Sequence, residues 1–254
     1  MIKTLTLIGS GKMAQALAMG LAKSYRVELV ARDKQKLQKI KDQCSDIKIQ
    51  TLNDSFDIDK RDILLCIKPN ALKSVSKKFQ GVANSIISIL AGTKLEELKK
   101  HIKAKHYVRA MPNLAATYQK SMTSLSGDES FKDEAIKISQ SFGKSIWLSS
   151  EKEIDIATAI AGSGPAFLAL VAEAMADGGV KEGLKREDAV SLVLGVFESF
   201  IPLLQNKHPA IIKDEVMSPA GTTAAGFCAL EESKARDAFI KAISKAYQKA
   251  SGKG

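Results

Sequence analysis

Up to about Trp147 the chain alternates short runs rich in β-branched and apolar residues with longer amphipathic stretches, the pattern of repeated strand–helix–strand units. The runs are TLTLI, RVELV, IKI, ILLCI, SIISI, HYVRA, MTSL and SIWL; Met13 to Lys23 and Lys34 to Gln43 are among the helix-like stretches between them. Ile63 to Ile67 and Ile86 to Leu90 are apolar almost without interruption. Strands of that kind are covered on both faces, so a mostly parallel, doubly wound α/β sheet is expected.

After Ser150 the β-rich runs stop and helix follows helix to about Lys249, punctuated by GSGP, DGG, EGL, HP and SPAGTT. The chain is therefore expected to form an α/β domain over residues 1–149 and an all-α domain over 150–254. Pro165 to Ala176 and Asp188 to Leu204 are apolar around most of their circumference, too much so for a small exposed bundle, and are expected to be buried against a second subunit. The longest uncharged stretch, Ile156 to Ala172, falls short of a membrane span and is interrupted by Gly162, Gly164 and Pro165. Buried helices off the membrane are expected there, and a frayed tail at the closing SGKG.

Composition narrows the classes. A chain of 254 residues, 45% hydrophobic and 26% charged, is an ordinary globular one. Its formal charge of +10 is uneven: residues 1–149 carry 26 Lys and Arg against 14 Asp and Glu, and residues 150–254 carry 12 against 14. Most of the excess is Lys on helix faces, with no interleaved aromatics and no DNA-reading motif, so nucleic acid is not an expected partner. A basic first half suits an anionic cofactor. Cys44, Cys66 and Cys228 fit neither a metal-ligand spacing nor a disulfide framework. No metal is expected, and with no export signal at the start the expected home is the cytoplasm.

The chemistry begins at Ile8-Gly9-Ser10-Gly11-Lys12-Met13-Ala14, directly after TLTL. Gly9 allows a tight turn, Gly11 lets a helix N-terminus approach a pyrophosphate, and Ala14 is the small residue that packs helix on strand. A dinucleotide-binding turn of a Rossmann-type sheet is expected here, the alternative being an empty strand-to-helix turn. The second strand ends in Ala31-Arg32-Asp33, with alanine where an NAD site would put an acid against the ribose. Arg32 could then pair with a 2′-phosphate, favouring NADPH, with NADH as the alternative donor and Asp33 as a helix cap. CIKPN (Cys66 to Asn70) and LAGT (Leu90 to Thr93) end two further strands, where carboxyl ends frame a ligand crevice.

Taken in order, LIGSGKMA, CIKPN, VRAMPN, AIAGSGPAFLALVAEAMADGGVKEGL and HPAIIKDEVMSPAGTTAAG resemble pyrroline-5-carboxylate reductase over nearly the whole chain. The resemblance implies NAD(P)H-dependent reduction of the cyclic imine 1-pyrroline-5-carboxylate to L-proline. It also implies a Rossmann domain followed by a helical domain through which subunits form a homodimer or higher oligomer. The cofactor contacts it implies are Ile8, Gly9, Ser10, Gly11, Lys12, Met13, Arg32, Asn53, Cys66, Ile67, Lys68, Pro69, Ala91 and Gly92. The imine and its carboxylate would lie near Ser218, Gly221, Thr222 and Thr223, with the Thr223 hydroxyl hydrogen-bonded to the ring nitrogen. The chain departs from the family pattern at Leu114, Ala115, Ala161, Phe167 and Ala220, which bears on loop packing and substrate affinity more than on reaction class.

Reducing a carbon–nitrogen double bond needs a hydride and a proton, and an iminium already carries the proton. No metal or nucleophile is called for; positioning and electrostatics suffice. Thr222 or Thr223 could instead be an ordinary helix N-cap. Of the histidines, His101 and His106 read as solvated ends of a Lys-rich helix, and His208, before Pro209, reads as a helix start. The alternatives on the same architecture are enzymes acting on a different imine or on a β-hydroxy acid; the hydroxy-acid version would need a proton donor, commonly a Lys on a helix, and no Lys in the second half is marked for that role.

Overall fold

The strands are β1 (Thr4–Ile8), β2 (Arg26–Ala31), β3 (Lys48–Thr51), β4 (Phe56–Asp57), β5 (Asp62–Leu65), β6 (Phe79–Gln80), β7 (Ala83–Ser88), β8 (Ala104–Met111), β9 (Ser121–Gly127) and β10 (Gly143–Trp147), and all but β4 and β6 fall where the sequence sets β-rich runs. The structure is a computed structural model that describes residues 2–252; the last two residues of the SGKG tail lie outside the described residues. Eight strands make one sheet in the order β10-β9-β8-β7-β5-β1-β2-β3. Pairing is parallel from β3 through β8, β9 runs antiparallel to β8, and β10 is parallel to β9. The two-residue strands β4 and β6 pair separately and were not legible as strands in the sequence.

Consecutive residues of the central strands feed different cores, as the two-residue period of a strand requires. Ile63 and Leu65 join one cluster with Val30, Ile86, Tyr107 and Leu98, while Leu64 and Cys66 join another with Leu5, Leu7, Leu17, Leu29 and Val108. Both faces are thus covered. Helices α1 (Lys12–Leu21) and α2 (Lys34–Gln43) cover one face; α3 (Leu72–Ser76) and α4 (Leu95–His101) cover the other, and α5 (Lys132–Gln140) returns to the first. At the amino end of the sheet, Lys3 Nζ lies 2.9 Å from Asp62 and 2.7 Å from Glu134, and Asp62 accepts from Asn84 and Ser85. That cluster ties down the sheet end opposite the ligand crevice.

Six helices follow: α6 (Glu151–Ala157), α7 (Gly164–Lys181), α8 (Arg186–Asn206), α9 (Pro209–Val216), α10 (Thr222–Glu232) and α11 (Ala235–Ala250). By contacts the chain divides into two units: residues up to Ser163 with Ala246 onward, and Gly164–Lys245. The second unit buries little. Its core cluster is Ala176, Ala189 and Val193, with Ala172, Val180 and Phe197 packed against them, while Leu168, Leu170, Leu192, Leu194, Ile201 and Ile240 stay exposed. So small a core cannot hold a folded unit without a further apolar surface.

One expectation is overturned here. Gly162, Gly164 and Pro165 do not interrupt the apolar stretch; Glu151 to Lys181 run as one helix of 31 residues, long and apolar enough by composition to cross a membrane, and only 17% of its most apolar window is buried by this chain. A π-helical turn over Thr158–Gly162 absorbs the misfit, with the Ser163 amide donating to the Thr158 carbonyl at 3.1 Å. Pro165 has no N–H for the Ala161 carbonyl, and Asn113 Nδ2 donates to that carbonyl instead, at 3.0 Å.

Candidate active site

The chain leaves β1, builds β2 and β3 on one side, and returns to β5 on the other, so the order of strand addition reverses between the parallel neighbours β1 and β5. In such a sheet the ligand crevice opens beyond the carboxyl ends of the strands at the reversal. Backbone bonds align those ends: Gly9 donates to Val30 and Cys66 to Ile8, each at 2.8 Å, Leu52 to Ala31 at 2.9 Å, and Ile89 to Leu65 at 3.1 Å. The segments opened by Gly9, Arg32, Asn53, Cys66 and Ala91 therefore emerge side by side.

The two glycines of the turn have different tasks. Gly9 has φ +134°, and a Cβ there would run into the Cys66 carbonyl, so it is needed by the protein itself. Gly11 has ordinary extended backbone, and a Cβ there would meet nothing within 4 Å. Its missing side chain leaves open a space that no described residue fills. Gly11 is also the N-cap of α1, without a side-chain cap and with no acid in the first turn. The amides of that turn lack intrahelical acceptors, and with the helix dipole they favour an anion such as a pyrophosphate. The residues present therefore fit a dinucleotide.

Around this turn, Arg32 is exposed and makes no hydrogen bond or ion pair among the described residues. Asp33 is committed to α2, accepting from the Lys36 amide at 3.0 Å; that bond, with the Lys36 side chain adding, holds its carboxyl below the usual range. Asn53 and Lys68 are exposed on the same rim, and Lys68 precedes Pro69, which opens a 3₁₀ turn. Cys66 is buried and burial pushes its thiol up to about 12, so it is neutral and its backbone is what it offers a ligand. Ala91 and Gly92 are exposed at a reverse turn closed by the Thr93 amide on the Leu90 carbonyl, 3.3 Å, with Gly92 at φ +67°.

In the second unit, Ser218-Pro219-Ala220-Gly221 form a tight turn, the Gly221 amide donating to the Ser218 carbonyl at 3.0 Å. Gly221 is the N-cap of α10 and supplies no side-chain bond. This decides against the capping alternative for the threonines: Thr222 and Thr223 lie inside the helix, exposed, and their hydroxyls make no hydrogen bond among the described residues. Ala220 sits at φ +55° with proline before it, the residue order of a type II turn whose third position favours glycine. Left-handed backbone costs a non-glycine residue about 1–2 kcal/mol, part of which glycine gives back as unfolded-chain entropy. Ala220→Gly is therefore expected to stabilise the second unit by about 0.5–1 kcal/mol; an unchanged or lower urea midpoint would show that the turn carries no such strain.

The histidines stay outside both groups. His101 and His106 are half-buried rather than solvated: His101 Nε2 lies 2.9 Å from Glu97, and His106 stacks on Phe131 and lies 3.2 Å from Ser130 Oγ. His208 caps α9, its Nδ1 accepting from the Ala210 amide at 3.3 Å.

A buried charge network, not anticipated from the sequence, joins β8 to α6. Arg109 on β8 is 2% exposed; its Nη2 lies 2.9 Å from Asp155 Oδ1 and its Nη1 3.2 Å from Glu151 Oε1, both on α6. The one available signal was a charge inside the apolar run HYVRA.

Comparison with known proteins agrees with this arrangement. Residues 151–253 match the family model for pyrroline-5-carboxylate reductase dimerisation, and residues 4–92 match that for coenzyme F420-dependent NADP oxidoreductase. A pyrroline-5-carboxylate reductase of Helicobacter pylori is 34% identical over 98% of this chain and 99% of its own length. The 1-pyrroline-5-carboxylate reductase of Streptococcus pyogenes superposes with a TM-score of 0.85 at 29% identity, covering 98% of each chain. The Plasmodium falciparum enzyme, solved with NADP bound, gives 0.82 at 26% identity over 99% of each chain.

Proposed function

The chain belongs to the pyrroline-5-carboxylate reductase family, and from that premise we propose how its residues reduce 1-pyrroline-5-carboxylate to L-proline with NADPH, NADH being the alternative donor. The observation that carries the cofactor half is the open space at Gly11 above the uncapped first turn of α1. The amides of Lys12 and Met13, with Gly9 to Gly11, would hold the pyrophosphate. Arg32 would pair with the 2′-phosphate, and Asn53, Cys66 to Pro69, Ala91 and Gly92 would line the remainder. When bound, the dihydronicotinamide supplies the hydride to the imine carbon.

The chain's own work is orientation. The free first-turn amides of α10, with Ser218 and Gly221, would hold the substrate carboxylate, and the Thr223 hydroxyl would hydrogen-bond the ring nitrogen. Since the iminium brings its own proton, hydride addition leaves a neutral secondary amine and asks no base of the site. The exposed apolar faces of α7, α8 and α11 support a homodimer or larger assembly, and three free thiols support a reducing cytoplasm.

Purified protein given pyrroline-5-carboxylate and NADPH should consume NADPH and form proline in equal amounts. NADPH loss without proline would sink the substrate assignment. Arg32→Ala should raise KM for NADPH about tenfold, the worth of one charge-assisted bond at an exposed site, and leave NADH nearly unchanged. An equal rise for both donors would remove the 2′-phosphate role.

A further inference from the structure

We propose that Glu151 is a positioning residue for the cofactor, acting through the turn Ala91–Gly92. The proposal rests on the reading above that this turn touches the cofactor. The turn lies between the end of β7 at Ser88 and the start of α4 at Leu95. Its strand side is held locally, Ser88 Oγ accepting from the Leu90 amide at 3.3 Å. Its helix side lacks a local anchor, because the N-cap Lys94 supplies no side-chain acceptor. Glu151 supplies it from 56 residues away: the Leu95 amide donates to Glu151 Oε1 at 2.8 Å. A carboxylate there also suits the positive end of the helix dipole.

Glu151 can serve as a fixed point because it is itself held. The same Oε1 accepts from Arg109 Nη1, and Arg109 is anchored by Asp155. Arg109 stands in register with Ser88 on the neighbouring strand. One rung of the sheet, Ser88 and Arg109, thus fixes both ends of the Ile89–Lys94 segment, the second through Glu151. Removing the carboxylate frees the start of α4 while Arg109 keeps Asp155.

The test compares Glu151→Ala, Glu151→Gln and Ala91→Asp for NADPH Kd by fluorescence titration, kcat at saturating NADPH, and exchange of the Leu95 amide. Positioning residues outside a ligand site shift affinity by roughly 2- to 30-fold, so Glu151→Ala should weaken NADPH within that range, speed Leu95 exchange and leave kcat within about twofold. Glu151→Gln keeps an acceptor oxygen and should bind NADPH like the parent protein. A lowered melting temperature with unchanged Kd in Glu151→Ala overturns the proposal, as does a glutamine variant as weak as the alanine one. Ala91→Asp places a negative charge on the exposed turn and should weaken NADPH by itself. If it does and Glu151→Ala does not, only the positioning role fails; if Ala91→Asp changes nothing, the turn is not at the cofactor and both readings fall.

Discussion

Arg109→Met is expected to destabilise the first unit by about 3 kcal/mol, the low end of what breaking a buried ion pair costs. The guanidinium is almost wholly buried, and Asp155, 8% exposed, has no other hydrogen-bond partner among the described side chains. Methionine fills much of the volume, so the loss measures the uncompensated carboxylates rather than a cavity. Glu151 is more accessible and keeps the Leu95 amide, which is why the low end applies. For a unit of this size the melting temperature should fall by about 6–12 °C. Adding Asp155→Leu should recover part of the loss, because an apolar pair of similar volume carries no buried charge. A single variant within about 1 kcal/mol of the parent would mean that water reaches the carboxylates and the network is not a buried one.

The same network marks how far the sequence could be read. Strands β1, β2, β5 and β7 were legible because burial on both faces leaves short, nearly continuous apolar runs, and Gly9-Ser10-Gly11 because a turn, a close approach and a helix start fall within three residues. Arg109 could be seen as odd in HYVRA, but its partners lie 42 and 46 residues away and nothing local names them. The helix through Gly162 to Pro165 was misread for a like reason. Glycine and proline argue for a break, and what prevents it is Asn113, 48 residues upstream, taking the carbonyl that proline cannot. The start of α10 turned on one residue: Gly221, at φ −80° and ψ 170°, takes the cap position that threonine would ordinarily claim. In the second unit the excess of apolar faces on α7 and α8 was legible as a need for burial, since composition shows it without geometry.

That position of Thr223 sharpens the largest kinetic prediction. Thr223→Val preserves shape and removes the hydroxyl. Because Gly221 occupies the N-cap position and the Thr223 hydroxyl has no partner among the described residues, valine should leave the melting temperature nearly unchanged; threonine and valine differ little in helix propensity. A lost cap would have cost about 1 kcal/mol, so stability and catalysis are separable in one variant. A hydrogen bond to a charged or charge-developing nitrogen is worth about 1.5–3 kcal/mol, so kcat/KM for the imine should fall roughly 10- to 150-fold. The Kd for NADPH should not move, since the carboxylate amides and the cofactor groups are untouched. If kcat/KM is unchanged while the protein melts as before, the hydroxyl has no part in the reaction, and Ser218 becomes the group to replace next.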